Sequence, residues 1–235
     1  MPATTQDTTI PVPGGSMPAY VAVPATTPAP ALVLIPSVFG VTPYVRETID
    51  RFAEHGFLTI GLDVYFRTIP GPKDRDIKTE FDEALDRNKR YDHAQGLRDL
   101  AAVRDYALGR PDCNGKWAVV GYCFGGRYAL LAGADFGADA VGGFHPSNMG
   151  KELDAARRMN VPASFHVGDS DASVPMTEVE AVKAALAHNP RAEVYVYPGI
   201  KHGFSGKGGA SYDEAVAELS FDRFLNVIDE LKTVR

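Results

Sequence analysis

The feature that most constrains this chain is an alternation of unbroken apolar runs with amphipathic stretches. "ALVLIP", Ala31 to Pro36, is apolar throughout and bounded by turn residues, as expected of a strand buried on both faces. "PYVRETIDRFAEHG" follows, with Val45, Ile49, Phe52 and Ala53 on one helical face and Gly56 placed to end the helix in a left-handed conformation. The unit then repeats. "FLTIGLDV" reads as a strand, Tyr65 to about Lys78 as a charged connection, Glu80 to Leu108 as one long helix, and "KWAVVGY" as the next strand. "DAVGGFHP", "PASFHVGD" and "EVYVYPG" supply further strands, with helices near Leu153 to Arg158 and Met176 to Ala187. A last helix in "YDEAVAELSFDRFLNVIDELK" is expected to turn Ala215, Leu219, Phe224, Ile228 and Leu231 inward. Alternation of this kind predicts an α/β fold with a mainly parallel sheet flanked by helices. The N-terminal "TTIPVPGGSMPAYVAVP", with its prolines and Gly14-Gly15, reads as a hairpin at the sheet edge. No repeat or composition shift marks a second domain, so one domain over residues 1–235 is expected, with Ile69 to Asp76 as a mobile loop or partial lid.

Composition narrows the partners. A chain of 235 residues, 45% hydrophobic, is long enough to bury roughly 70 to 75% of its unfolded surface. The net charge of −6 disfavours nucleic acid and anionic membranes, which an acidic surface repels. A small-molecule partner fits better. No 18-residue apolar run occurs, and "MPATTQDTTIPVPGG" lacks the basic and apolar regions of a signal peptide, so a cytoplasmic location is expected. The two cysteines, Cys113 and Cys123, are too few for a disulfide framework and wrongly spaced for a closed zinc site. A free thiol is expected.

One thiol is conspicuously placed. Gly121-Tyr122-Cys123-Phe124-Gly125 lies where a strand gives way to a helix, at the sheet edge where ligands bind in such folds. It has the form of the nucleophile elbow G-x-S-x-G with cysteine for serine. Gly121 and Gly125 keep side chains out of a tight turn, and Gly126 leaves room for close packing. The N-terminus of the following helix favours a thiolate. A plain buried cysteine at a strand-to-helix junction is the competing reading. The chain order counts against it: "GDSDASVP" and "YPGIKHGF" follow two later strands, giving nucleophile, acid and histidine in the order Cys123, Asp171, His202, with Asp169 as a second acid candidate.

Through "GYCFGG", "GDSDASVP", "YPGIKHGF" and the early "LVLIPSVFGV", the chain resembles the dienelactone hydrolase family over nearly its whole length. The resemblance implies an eight-stranded α/β-hydrolase fold and a cysteine nucleophile that opens enol-lactones or related esters. By motif position it assigns Cys123 as nucleophile, Asp171 as triad acid and His202 as base, and Asp171 is favoured over Asp169 because the pattern is D-x-x-V-P. The oxyanion then falls to the backbone N–H groups of Phe124 and Val38. No metal or organic cofactor is implied. Two positions depart from the family pattern. Ser37-Val38-Phe39-Gly40 stands where the family carries a glutamate, and Gly206, beside Lys207, stands where it carries a substrate-holding arginine. Ser37, Phe39, Tyr122, His145 and Lys207 are the candidate substrate contacts, each with an ordinary structural alternative: turn serine, core aromatic, strand-end histidine or solvated lysine. Arg87, Lys89 and Arg90 either reach the mouth of the site or form a wet helix face. His166 is expected inside the sheet, His55, His93 and His188 on helix surfaces, and Cys113 without an activating partner. The expected partner is a small lactone or ester, and the chain a monomer or weak homodimer. A non-catalytic scaffold that binds a small molecule is the alternative.

Overall fold

Apolar runs bounded by turn residues set the strands, and the computed structural model describes residues Thr4 to Thr233. The strands are β1 (Thr4–Val12), β2 (Gly15–Val23), β3 (Ala29–Ile35), β4 (Leu58–Leu62), β5 (Cys113–Tyr122), β6 (Ala140–Phe144), β7 (Ala163–Gly168) and β8 (Ala192–Tyr197). The helices are α1 (Pro43–Glu54), α2 (Lys78–Lys89), α3 (His93–Leu108), α4 (Gly125–Asp135), α5 (Leu153–Ala156), α6 (Met176–Leu186) and α7 (Glu214–Ile228). The strand order is β1-β2-β4-β3-β5-β6-β7-β8. This is an α/β-hydrolase fold, with the mainly parallel sheet that the alternation of elements predicts and the eight strands that the family resemblance implies.

The residues divide into two compact units, Met1–Trp117 and Ala118–Arg235, with the boundary inside β5. In the first unit, β1 and β2 form the expected outer hairpin, with Ile10 opposite Met17, and β2 pairs antiparallel to β4. β3 and β4 are parallel and linked through α1. Every residue of β3 and β4 is buried, which explains their unbroken apolar character. Helix α1 begins at Thr42, whose Oγ1 accepts from Val45 N, and buries Val45, Ile49, Phe52 and Ala53 as expected. Gly56 follows at φ +88°, a conformation that a side chain would strain.

Two expectations fail in this unit. The region Glu80 to Leu108 is two helices rather than one. Arg90 closes α2, and Asp92, in an extended conformation, starts α3 by accepting from Gln95 N at 3.0 Å. Asp92-x-x-Gln95 is a capping-box pattern, a signal that the surrounding helix-forming residues mask. Arg87 is the second correction, because it is neither on a wet face nor at a mouth. Its side chain is fully buried, donating to Val38 O from Nε (2.8 Å) and to Ile69 O and Gly71 O from Nη1 (2.9 and 2.6 Å). The guanidinium lies 4.5 Å over the ring of Tyr65, and burial pushes its pKa down from the usual arginine value. Arg87 thus ties the turn after β3 to the segment Ile69 to Asp76. That segment is further held by Gly71 N on Asp63 Oδ2 (2.7 Å) and Lys73 N on Phe39 O (2.9 Å). Lys89 and Arg90 are exposed.

In the second unit, β5 to β8 run parallel, with β6 and β7 buried along their whole length. Helix α7 rotates relative to the expected face. It buries Ser220, Phe221, Phe224, Leu225 and Ile228, while Leu219 is 44% exposed and Ala215 also faces solvent. Phe221, Phe224, Leu225 and Ile228 hold the i, i+3, i+4, i+7 spacing, and burying Phe221 and Leu225 beside Phe224 and Ile228 outweighs burying Ala215 and Leu219. The ring of Phe224 occupies the space that a Cβ at Gly142 would fill, so β6 needs glycine there.

Candidate active site

The elbow is strained in the way its glycines require. Cys123 has φ +50°, a left-handed conformation that non-glycine residues seldom adopt. A Cβ on Gly121 would overlap the carbonyl of Gly125, and one on Gly126 would overlap the ring of Pro146. The turn is fixed by Cys123 N donating to Phe144 O (3.0 Å), while Cys123 O accepts from Gly126 N (3.1 Å) and Ser147 N (3.0 Å). The thiol is half-buried, with Ser147 Oγ 3.9 Å from Sγ. Helix α4 starts two residues on, so the positive end of its dipole faces the thiol's turn. Phe124 occupies the N-cap, its ring 5.0 Å from that of Tyr128.

His202 arrives from the turn after β8, where Gly203 at φ +79° lets the chain reverse. Its Nδ1 lies 2.6 Å from Oδ2 of Asp171, in the loop after β7. The Asp171 carboxylate is shut off from solvent and also accepts from Ser173 N at 2.8 Å through Oδ1. Asp169, the second acid candidate, faces solvent and is used by the loop itself, accepting from Gly199 N at 2.7 Å. Burial acts to lower the pKa of His202. The hydrogen bond to Asp171 and the nearby Cys123 sulfur outweigh it and hold the imidazole up at about 10. That balance favours an imidazolium at neutral pH.

His145 completes the cluster. It follows β6 with φ +40°, so two of the three non-glycine residues with positive φ among the described residues are Cys123 and His145. Its Nε2 is 3.0 Å from Ser205 Oγ, and its ring meets that of His202 edge to face at 4.8 Å. Cys123, His145 and His202 can bring one donor atom each to within 4.8 Å of one another. Ser147 and Ser205 were not singled out from sequence. The only cue was their closeness along the chain to His145 and His202.

Other expected residues have visible structural duties. Tyr122 is buried and stacks on Phe144 at 4.8 Å. Lys207 is exposed, between turns closed by Gly206 N on Gly203 O and Gly209 N on Gly206 O (both 3.0 Å). His166 is buried as expected, between Tyr197 OH (2.9 Å) and Ser164 Oγ (3.1 Å), and burial with the nearby Arg223 charge pushes its pKa down to about 3. His55 and His188 are exposed and His93 is half-buried. In the first unit, Ser37 Oγ accepts from Phe39 N (3.3 Å), the bond of an ordinary turn serine. Phe39 is half-buried with its ring 5.9 Å from Phe81, and Val38 is buried with its carbonyl held by Arg87.

A parallel-rich eight-stranded sheet with a strained cysteine elbow, followed in order by a buried acid and a histidine, defines an α/β-hydrolase with a thiol at its elbow. The chain belongs to the dienelactone hydrolase family, whose model it matches over residues 17–232. It is a hydrolase of carboxylic ester or lactone bonds. It is similar to Carboxymethylenebutenolidase 1 of Cupriavidus pinatubonensis, 30% identical over 220 residues that cover 93% of this chain and 94% of that protein. It is 31% identical to a putative carboxymethylenebutenolidase of Escherichia coli K12, covering 93% of this chain and 84% of that one. The crystal structure of a putative dienelactone hydrolase from Klebsiella pneumoniae superposes with a TM-score of 0.84 at 30% identity, covering 97% of this chain and 98% of that one. A dienelactone hydrolase-like promiscuous phosphotriesterase from metagenomic libraries shares the fold, with a TM-score of 0.81 at 20% identity. Among the described residues no helix is long and apolar enough to cross a membrane.

Proposed function

We propose that the protein opens a small lactone of the dienelactone type, or cleaves a small ester, by covalent catalysis at Cys123. The observation that carries this reading is the position of His202, hydrogen-bonded to Asp171 and with a ring nitrogen within 4.8 Å of the Cys123 sulfur. Asp171 fixes the tautomer and stabilises the imidazolium, so His202 holds its proton on Nε2 towards the thiolate. The thiolate attacks the carbonyl carbon, and the C–O bond to the ring or leaving oxygen breaks as that oxygen takes the proton from His202. Water, deprotonated by His202, then cleaves the thioester, releasing the acid and restoring the thiol pair. The developing oxyanion is stabilised by the N–H of Phe124 and the N-terminal end of α4.

No glutamate stands in the turn after β3, so the ion pair with His202 is the resting state of the thiol in this proposal. Gly206 in place of an arginine, with Lys207 exposed, favours neutral lactones and esters over anionic ones. The test is a screen of lactones and p-nitrophenyl esters, with and without a carboxylate, coupled to mass spectrometry of Cys123. A transient acyl adduct on Cys123 and better turnover of the neutral members support the proposal. Turnover that persists in Cys123→Ala overturns it.

A further inference from the structure

The proposed reaction uses Cys123 and His202 and leaves His145 without a chemical task. His145 is 5% exposed, sits in a left-handed conformation at the end of β6, and has its ring 4.8 Å from that of His202. It is therefore placed by the sheet rather than by a flexible loop. We propose that Cys123, His145 and His202 form a three-ligand site for a zinc-class divalent cation, and that an ion held there blocks the thiol.

The donor set suits such an ion. One thiolate and two imidazoles are the ligands that zinc takes most readily, and three protein donors leave the fourth position to water. The three donor atoms already lie within 4.8 Å of one another. Tetrahedral zinc with sulfur at ~2.3 Å and nitrogen at ~2.05 Å sets donor atoms about 3.3–3.6 Å apart. Closing the cluster thus takes side-chain movements of about an ångström, with no rearrangement of the sheet.

The surroundings supply what metal-binding histidines require. Each ligating imidazole normally has its other nitrogen held by a polar group, which fixes tautomer and ring orientation. Nδ1 of His202 is held by Asp171 at 2.6 Å, which assigns Nε2 to the ion. Nε2 of His145 is held by Ser205 Oγ at 3.0 Å, which assigns Nδ1. The thiolate and the Asp171 carboxylate balance the two positive charges of the ion. A sulfur bound to the metal has its lone pair committed, so occupancy and attack on a carbonyl are mutually exclusive.

The experiment reads metal binding and is independent of whether Cys123 is the nucleophile. Chelator-stripped wild-type protein and the variants Cys123→Ser, His145→Gln, His202→Gln and Ser205→Ala are titrated with zinc chloride against a chromogenic chelator. Cobalt chloride is used in parallel to reveal thiolate-to-metal absorption, and circular dichroism checks each fold. The expected result is one ion per wild-type chain, thiolate-to-cobalt absorption, and protection of Cys123 from iodoacetamide by zinc. Each ligand substitution should weaken binding at least about tenfold, and Ser205→Ala, which keeps all three donors, about tenfold. If His145→Gln does not fold, Ser205→Ala decides. The proposal is overturned if wild type binds no stoichiometric ion, if cobalt gives no thiolate absorption, or if folded His145→Gln, or Ser205→Ala in its stead, binds as tightly as wild type.

Discussion

Nδ1 of His202 lies 2.6 Å from Oδ2 of Asp171, whose carboxylate is sealed from solvent and pinned by Ser173 N. An acid held this way cannot follow the imidazole if it moves, so it sets both the tautomer and the direction of the other nitrogen. Asp171→Asn should lower kcat/KM for an ester by about two to four orders of magnitude while leaving the fold intact. It should also shift the His202 titration from about 10 towards the ordinary histidine value, which NMR of the ring protons would follow. A variant with unchanged titration would show that the pairing does not govern His202.

Cys123→Ala should reduce lactone and ester turnover by roughly a thousandfold or more, with unchanged circular dichroism. His202→Ala should slow alkylation of Cys123 by iodoacetamide near neutral pH, because the thiolate loses its counter-ion. Equal alkylation rates in the two proteins would contradict the ion pair. Cys113 is half-buried at the start of β5, and Cys113→Ser should change neither measurement.

His202 also makes stability depend on pH. Its folded pKa of about 10 lies above the unfolded value of 6.5, so between them the native state binds the proton more tightly. The resulting stabilisation is fully present below 6.5 and is lost as pH rises towards 10. In urea melts, the stability of wild type relative to His202→Gln should therefore be greater at about pH 6 than at about pH 9.5. A constant difference across that range would refute the assignment.

The elbow glycines are packing requirements. Gly121→Ala drives a methyl group into the Gly125 carbonyl, and Gly126→Ala drives one into Pro146. Both obstacles are backbone or ring atoms that cannot swing aside, so each substitution should cost about 3 kcal/mol or more in denaturant melts. Gly137 has open space around a Cβ and φ +72°, so Gly137→Ala should cost only its backbone strain, about 1 kcal/mol.

Arg87 carries a prediction about the turn after β3. Arg87→Met fills similar volume but strands the carbonyls of Val38, Ile69 and Gly71 without their donor. At about 1–3 kcal/mol for a buried unsatisfied group, the melting temperature should fall by several degrees. Hydrogen exchange should quicken at Lys73 N, which bonds Phe39 O in the same turn. Arg90→Met, on the exposed end of α2, should do neither.

The sequence by itself determined the order of strands and helices, the edge hairpin and the elbow. These depend on local periodicity, on glycines at fixed offsets and on the sequential order of Cys123, Asp171 and His202. Some local signals lost to their surroundings, as when Asp92 and Gln95 broke what reads as one long helix. Only the tertiary structure decided which face of α7 is buried, because Phe221 and Leu225 outcompeted Ala215 and Leu219 for the inner positions beside Phe224 and Ile228. It also sent Arg87 inward, since three carbonyls from two separate segments converge on one point that no spacing in the sequence encodes. His145 was legible as the end of a strand at the correct edge of the sheet. Its closeness to His202 and Cys123 was not, because the parallel sheet brings together three turns that lie tens of residues apart in the chain.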